Sequence, residues 1–239
     1  MRYKHNEEQE QGRMTDKKPP TAAVEDFLKV AYTLQESLPS AQERISTNAL
    51  SDALAISAPS VTEMARRMHD EGYIDYVKYQ GVRLTPAGTA LALQVLRRHR
   101  LIELFLVQEL GYPLHEVHEE AEKIEHAVSA TFIRAIWHKL NKPAFDPHGD
   151  PIPNEDGQMH CPILHALTVV PLHQPSRVAR FVTNDNAKLQ YVLARGFKLQ
   201  MPVTVLAREP YEGLVTVALP HGTLDVGHGL AESILVEVL

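Results

Sequence analysis

Hydrophobic positions near the start of the chain recur at helical spacing in short segments. Residues 22–36 contain Val24, Phe27, Leu28, Ala31 and Leu34. After a polar break, residues 45–57 have a Ser/Thr pair near their start, a typical helix cap, and carry Leu50, Ala53 and Leu54. Intervals of three and four residues place such side chains on one face of a helix. The pattern therefore predicts two amphipathic helices whose apolar faces, Ala53 included, point inward.

A third apolar stripe follows in residues 58–74, formed by Val61, Met64 and Met68. Pro59 suits a first helical turn, and Gly72 suits the end of a helix. Two short helices joined by a tight turn have the spacing of a helix-turn-helix. Residues 73–88 then alternate around Gln80-Gly81 as a strand, a turn and a strand, which predicts a wing. A buried helical hairpin with no DNA role is the alternative interpretation.

The third segment would be the recognition helix of this predicted winged helix-turn-helix. Small and polar side chains at its start lie where base edges and thymine methyl groups are met: Ser57, Ala58, Pro59, Ser60, Thr62 and Glu63. Basic side chains farther along are predicted to bind phosphates: Arg66, Arg67, Lys78 and Arg83.

The middle of the chain predicts two long helices rich in imidazole and carboxylate groups. The first covers residues 88–111 and carries His99 and Glu103 one turn apart. The second covers residues 114–140, and its potential ligands are His118, Glu119, Glu122, Glu125 and His126. The last three follow i, i+3, i+4 and can converge on one point. Nitrogen and oxygen donors without a thiolate favour Mn²⁺ or Fe²⁺. A solvated acidic helix face is the alternative.

The last third changes in character. Residues 142–160 are rich in Pro, Gly and Asp and are typical of a linker. The runs at 167–172, 201–211, 213–220 and 234–239 are short and β-branched, with one helix near 186–196. This pattern predicts a small β-barrel and, with the helices before it, an α+β chain.

Charge is distributed unevenly along the chain, whose formal net charge is −6. Residues 57–100 carry seven Lys/Arg and four Asp/Glu, whereas residues 101–160 carry four and eleven. The predicted DNA-binding segment is thus basic and the predicted metal-binding segment acidic, although uneven surface charge alone decides nothing. One cysteine, Cys161, excludes an intramolecular disulfide. Without a signal-peptide pattern or an apolar stretch of roughly 20 residues, we expect a cytoplasmic protein with no membrane partner.

Three stretches of the sequence resemble the diphtheria toxin repressor and manganese transport regulator family (DtxR/MntR): VEDFLKVAY, PSVTEMARRM with the wing YVKYQGVRLTPAG, and RRHRLIE with VHEEAEKIEHAVS. The resemblance covers residues 22–239. It implies a winged helix-turn-helix at 21–92, a helical metal-binding and dimerisation domain at 93–141, a linker at 142–162 and a FeoA/SH3-like β-barrel at 163–239. The polar segment 1–20 is predicted to be a disordered tail.

The resemblance also implies a ligand set, carried over position by position. Asp26, Glu122, Glu125 and His126 match the primary site of the manganese branch, because Glu122 stands where the iron branch has a cysteine. His99 matches a ligand in both branches. In the iron branch, the positions of His99, Glu103 and His118 hold a second metal.

Two departures from the family pattern bear on the second metal. Lys29 replaces an acid of the manganese branch, so a closely spaced pair of metals is not expected here. The third-domain ligands of the iron branch align with Arg180 and Thr183, and Asp185 lies near enough in sequence to substitute.

These observations together predict a repressor of metal-homeostasis genes. It would bind palindromic operator DNA as a homodimer when loaded with Mn²⁺, or alternatively Fe²⁺. A metal-independent winged-helix regulator responding to a small organic ligand is a competing hypothesis. A metallohydrolase is a second one, but the sequence shows no H-E-x-x-H motif, and we expect no enzymatic activity.

Overall fold

The computed structural model describes residues 20–40, 42–183 and 185–239. The chain divides into two compact units, with the boundary after Ala92. The predicted tail at 1–20 lies outside the described residues except for Pro20. None of the described helices combines the length and the apolar character that a membrane span requires.

The first unit contains the helices α1 (Ala22–Glu36), α2 (Thr47–Leu54) and α3 (Ala58–Asp70). Their apolar faces share one core with buried Phe27, Leu28, Leu50, Val61 and Met68. Side-chain caps fix where the helices begin. The hydroxyls of Ser46 and Ser57 accept from the backbone N–H groups of Ala49 and Ser60. The three predicted helices are present, but Ala53 is exposed and not inward-facing.

The wing consists of β1 (Ile74–Val77) and β2 (Gly81–Leu84), which pair antiparallel with Val77 opposite Gly81. The turn lies at residues 78–80, one position earlier than predicted, and Gly81 already belongs to β2. A Cβ atom at Gly81 would lie 2.2 Å from the carbonyl oxygen of Ile45. Ile45 also exchanges two backbone hydrogen bonds with Val82. Only glycine permits this close approach, which attaches the wing to the helices.

The second unit begins within the long helix α4 (Pro86–Leu110) and continues with α5 (Val117–Ile124) and α6 (Ala130–Lys139). The single helix predicted over 114–140 is therefore wrong. The chain leaves the helix after Ile124, and Ser129 starts a new one by accepting from the N–H of Phe132 at 3.2 Å. A serine before an apolar segment is an N-cap pattern that periodicity alone overlooks.

Residues 142–162, predicted to be a linker, pack against α4. Ile152 and Asp146 are buried. Arg97 Nη1 donates to the carbonyl of Pro153 at 2.5 Å, and Arg100 donates to the carbonyl of Pro151. This segment contains no helix, but its backbone is held in place by the arginines of α4.

The remainder of the second unit is a six-stranded antiparallel sheet in the order β3-β8-β4-β5-β6-β7. The strands are β3 (His165–Ala166), β4 (Ser176–Phe181), β5 (Pro202–Arg208), β6 (Val215–Leu219), β7 (Gly222–Val226) and β8 (Ile234–Val238). The helices are α7 (Asn186–Ala194) and α8 (His228–Ala231). The α+β class is confirmed. Among the described residues, β3 and β7 are the end strands, so the pairing does not close the predicted barrel.

The strand predicted at 167–172 is a turn. The N–H groups of Val169 and Val170 both donate to the carbonyl of Ala166, and Pro171 has no N–H to offer a neighbouring strand. Conversely, β3, β4 and β7 were not predicted from the sequence. Leu167 is nevertheless buried in the core beneath the sheet, together with Val178, Phe197 and Val236.

Candidate metal centre and nucleic-acid interface

His99 is the central side chain of an imidazole and carboxylate cluster in the second unit. It lies one turn before Glu103 on α4, and both side chains are buried. His99 Nδ1 lies 2.6 Å from Glu125 Oε2, whereas His99 Nε2 lies 2.9 Å from Glu103 Oε1. A single imidazole thus contacts two carboxylates through its two nitrogens.

Helix α5 adds two further donors to this cluster. His118 Nδ1 lies 3.1 Å from His99 Nε2 and 3.3 Å from Glu103 Oε1. Glu122 Oε1 lies 3.7 Å from His99 Nδ1 and 3.8 Å from His118 Nε2. Potential ligand atoms of His99, His118 and Glu122 all lie within 4.8 Å of one another, which is close enough for one divalent cation. The structure therefore brings together the predicted residues of α4 and α5.

Glu125 and His126 lie just beyond the last residue of α5. Glu125 keeps helical backbone angles, and its N–H donates to the carbonyl of Ala121 at 2.9 Å. The predicted spacing from Glu122 therefore persists although the helix ends. The Glu125 side chain is fully buried, and its Oε1 lies 3.4 Å from His126 Nε2.

Asp26, the remaining predicted primary ligand, lies on α1 in the first unit, three residues before the buried Lys29. The joint ligand set of Asp26, Glu122, Glu125 and His126 stays a prediction.

A second group of potential ligands consists of Glu103, Asp146 and His148, all buried, with ligand atoms within 4.8 Å of one another. His148 Nδ1 lies 3.7 Å from Glu103 Oε2. Asp146 Oδ1 accepts from the N–H groups of His148 and Asp150, each at 2.8 Å. Asp146 and His148 were not predicted from the sequence, because the composition of their segment is typical of a linker. The available signal was the alternation of acid and imidazole in D-P-H-G-D.

Burial and neighbouring charges shift the pKa values in this second group. Burial alone would raise the pKa of Glu103, but the charge of His99 and hydrogen bonds from His118, His148 and His99 hold it well below its ordinary value. Burial, together with repulsion from Asp150 and Glu103, raises the pKa of Asp146 to about 7. Burial opposes the charged form of His148, yet the surrounding carboxylates raise its pKa. Protons and cations therefore compete for these groups.

The recognition helix α3 and the wing form a concave face in the first unit. A cavity of about 430 Å³ there is lined by residues that include Thr62, Arg66, Lys78 and Tyr79. Arg66, Lys78 and Tyr79 are exposed. Basic side chains on a concave face can bind phosphates.

Other predicted DNA contacts are already engaged within the unit. The hydroxyls of Ser57 and Ser60 lie 2.8 Å apart, and Thr62 Oγ1 donates to the carbonyl of Ala58. Pro59 and Glu63 are exposed near the start of α3.

The predicted phosphate contacts Arg67 and Arg83 both have acidic partners. Arg67 Nε lies 3.8 Å from Glu71 Oε1, an exposed and therefore weak ion pair. Arg83 lies 3.5 Å from Asp75, which Arg44 also contacts.

Comparison with known proteins places this geometry in a family. Residues 21–82 match the iron dependent repressor N-terminal DNA binding domain, residues 85–154 the iron dependent repressor metal binding and dimerisation domain, and residues 165–238 the FeoA domain. The iron-dependent repressor IdeR of Mycobacterium bovis is 30% identical over 228 residues, which cover 90% of this chain and 96% of that protein. The chain belongs to the DtxR/MntR family.

Two solved structures whose names include manganese are also similar to this chain. A solved manganese-dependent transcriptional repressor in complex with manganese is 40% identical, with a TM-score of 0.83, and the alignment covers 90% of this chain and 100% of that one. The manganese regulator SloR is 31% identical, with a TM-score of 0.72 and coverage of 93% and 100%. Relatives named for iron and for manganese therefore both resemble this DtxR/MntR family member.

Asp185 lies in the FeoA part of this family member. Its Oδ1 accepts from the N–H groups of Ala187 and Lys188 and thereby caps α7, and its role as a metal ligand stays a prediction. A cavity of about 50 Å³ beside Glu103, His118 and His148 is also lined by Thr183, Asn186 and Leu189. Asn186 Nδ2 also donates to Glu119 Oε1 at 3.1 Å.

Proposed function

We propose that this DtxR/MntR family member is a transcriptional repressor that binds palindromic operator DNA as a homodimer when loaded with a divalent metal. Mn²⁺ is the metal we assign, with Fe²⁺ as the alternative. The observation that carries the proposal is the convergence of His99, His118 and Glu122 within 4.8 Å beside the buried Glu125. We further propose that it acts in the cytoplasm on genes of metal homeostasis and has no enzymatic activity.

The donor chemistry supports the choice of metal. The cluster offers imidazole nitrogens and carboxylate oxygens, which suit Mn²⁺ and Fe²⁺, whereas structural zinc sites more often use cysteine. The primary metal would be held by Asp26, Glu122, Glu125 and His126. A second would be held by His99, Glu103 and His118, with Asp146 and His148 beside Glu103 as further donors.

The proposed switch follows from where the ligands lie in the chain. Asp26 belongs to the unit that carries α3 and the wing, whereas Glu122, Glu125 and His126 belong to the other unit. A cation bound by both sets lowers the repulsion among the carboxylates and favours one arrangement of the units. In a dimer, that arrangement would set the spacing of two recognition helices to match two half-sites.

The decisive experiment compares DNA affinity with and without metal. A fluorescent duplex is first selected from a random library with the full-length protein and Mn²⁺, and anisotropy is then measured with Mn²⁺ or with chelator. We expect chelation to weaken binding at least about tenfold, on the order of 1.4 kcal/mol of coupling. Equal affinity in both conditions would favour the metal-independent regulator and reject the proposal.

A further inference from the structure

A cavity of about 400 Å³ lies in the second unit, apart from the residues assigned to metal binding. Its polar and aromatic lining comes from α4, α6 and residues 142–160 and comprises Arg97, Trp137, Lys142, Asn154, Gln158 and His160. A volume of this size is in the range of small-molecule binding sites. The cavity is therefore large enough for a small organic or inorganic ligand.

Two cationic side chains converge on the indole ring of Trp137 at this cavity. The guanidinium carbon of Arg97 lies 4.9 Å from the ring centroid, and Lys142 Nζ lies 5.3 Å from it. Lys142 has a left-handed backbone, with a φ of 57°, and its N–H donates to the carbonyl of Trp137 at 2.8 Å. This local geometry at the end of α6 fixes the lysine beside the tryptophan.

Arg97 has an unused hydrogen-bond donor. Arg97 is only 7% exposed, and its Nη1 donates to the carbonyl of Pro153. Nη2 is enclosed and has no hydrogen-bond partner among the described residues. A buried donor without an acceptor is costly, and cation–π attraction from Trp137 offsets only part of that cost.

The charge around Arg97 is only partly balanced. Burial lowers the pKa of the guanidinium, and the Glu155 carboxylate acts in the opposite direction. Glu155 is exposed and is not part of the lining, and none of the described lining residues is a carboxylate. An anion within the cavity would supply the missing negative charge beside the Arg97 and Lys142 side chains.

We propose that this cavity binds a small oxyanion, a phosphate or a carboxylate, with Arg97 and Lys142 as its cationic anchors. Asn154, Gln158 and His160 offer further donors along the wall. The site is separate from the metal cluster, because Arg97 and His99 are two residues apart on α4 and point about 200° apart around its axis. The inference does not depend on DNA binding or on the identity of the metal.

The only tryptophan in the sequence lies at this cavity and provides a direct reporter. Metal-free full-length protein is titrated with inorganic phosphate and, separately, with succinate, at an ionic strength held constant with chloride. We expect a saturable change in Trp137 fluorescence, with a Kd on the order of 1 mM or tighter, for at least one anion. Saturation by phosphate or by succinate identifies the source of the oxyanion. No saturable change with either anion overturns the proposal.

Two variants connect the fluorescence change to the cavity. Lys142→Gln removes one anchor and should raise the Kd at least about tenfold, as loss of a charged hydrogen bond does. Lys139→Gln is the matched control, because it removes the same charge three residues earlier, at the exposed last residue of α6, which pairs with Glu109. Its Kd should stay within about twofold of the unsubstituted protein. Equal Kd values for the Lys142→Gln and Lys139→Gln variants would overturn the proposal, even if an Arg97→Met variant fails to fold.

Discussion

His99 Nδ1 lies 2.6 Å from Glu125 Oε2, and both side chains are buried. The other nitrogen of His99 contacts Glu103 and His118. This imidazole therefore lies between the primary ligand set proposed around Glu125 and the second group around Glu103. A change in either carboxylate is expected to alter the orientation and proton state of the shared histidine.

Glu125→Gln should weaken Mn²⁺ binding by at least about 10- to 100-fold while the protein stays folded, because loss of a ligand's charge costs no less than loss of a residue that supports a ligand. The amide keeps the shape of the side chain but not its charge. Calorimetric titration of the full-length protein measures this effect. Glu120→Gln is the matched control, since Glu120 lies on α5 and pairs with Lys123 near the surface. Normal Mn²⁺ binding in both Glu122→Gln and Glu125→Gln would place the primary site elsewhere.

The sequence predicts the helical part of the cluster well for a simple reason. Residues four apart on a helix share a face whatever the tertiary structure, so His99 with Glu103 and His118 with Glu122 follow from spacing alone. Glu125 fits the same rule because its backbone stays helical for one residue beyond α5. Local periodicity was enough for these positions.

Asp146 and His148 could not be placed by the same rule. They lie in a segment without regular structure, and their position depends on distant partners such as Arg100, whose Nε lies 3.8 Å from Asp146 Oδ2. Asp185 has a local role that its sequence position does predict, because an Asp directly before a helix is a favoured N-cap. Its contact with a metal depends on distant partners and stays a prediction.

Asp146→Asn tests the second group. Crystals of the unsubstituted protein grown with Mn²⁺ should show an anomalous peak at Glu103, Asp146 and His148, and the variant should lose that peak while it keeps the primary one. Absence of the peak at Glu103, Asp146 and His148 in the unsubstituted protein would remove the second site.

The same anomalous maps test the role assigned to Lys29. Two peaks separated by only about 4 Å at the primary site would contradict that role, since an ammonium group cannot ligate and repels a nearby cation.

Arg67→Ala should weaken binding to all DNA sequences and reduce the slope of log affinity against log salt by about 1, as expected for one lost phosphate contact. Arg83→Ala should reduce this slope less, because Arg83 lies 3.5 Å from Asp75.

Ser60→Ala should change sequence preference and not the salt slope, since Ser60 lies in the first turn of α3. Anisotropy titrations at several salt concentrations distinguish these outcomes. A changed preference in Arg67→Ala with an unchanged slope would contradict the assigned recognition face.

The wing is also joined to the segment between α1 and α2 by an ion pair, in which Arg44 Nη2 lies 2.5 Å from Asp75 Oδ2. Hydrogen bonding from Arg44 lowers the pKa of Asp75 against the opposing effect of burial, and the charges of Arg44 and Arg83 add to the lowering. A lowered carboxyl pKa stabilises the folded state above the unfolded value of about 3.9. That contribution is lost as the pH falls through the folded pKa.

Asp75→Asn should therefore lower the Tm of the full-length protein at pH 7, and the difference from the unsubstituted protein should shrink as the pH falls to about 3 and below. Circular dichroism melts at both pH values measure this. Asp52→Asn is the control, because Asp52 is exposed on α2 and the same loss of charge there should leave the Tm nearly unchanged at either pH. A Tm difference for Asp75→Asn that persists undiminished in acid would mean that shape and hydrogen bonding, and not the carboxylate charge, connect the wing to Arg44.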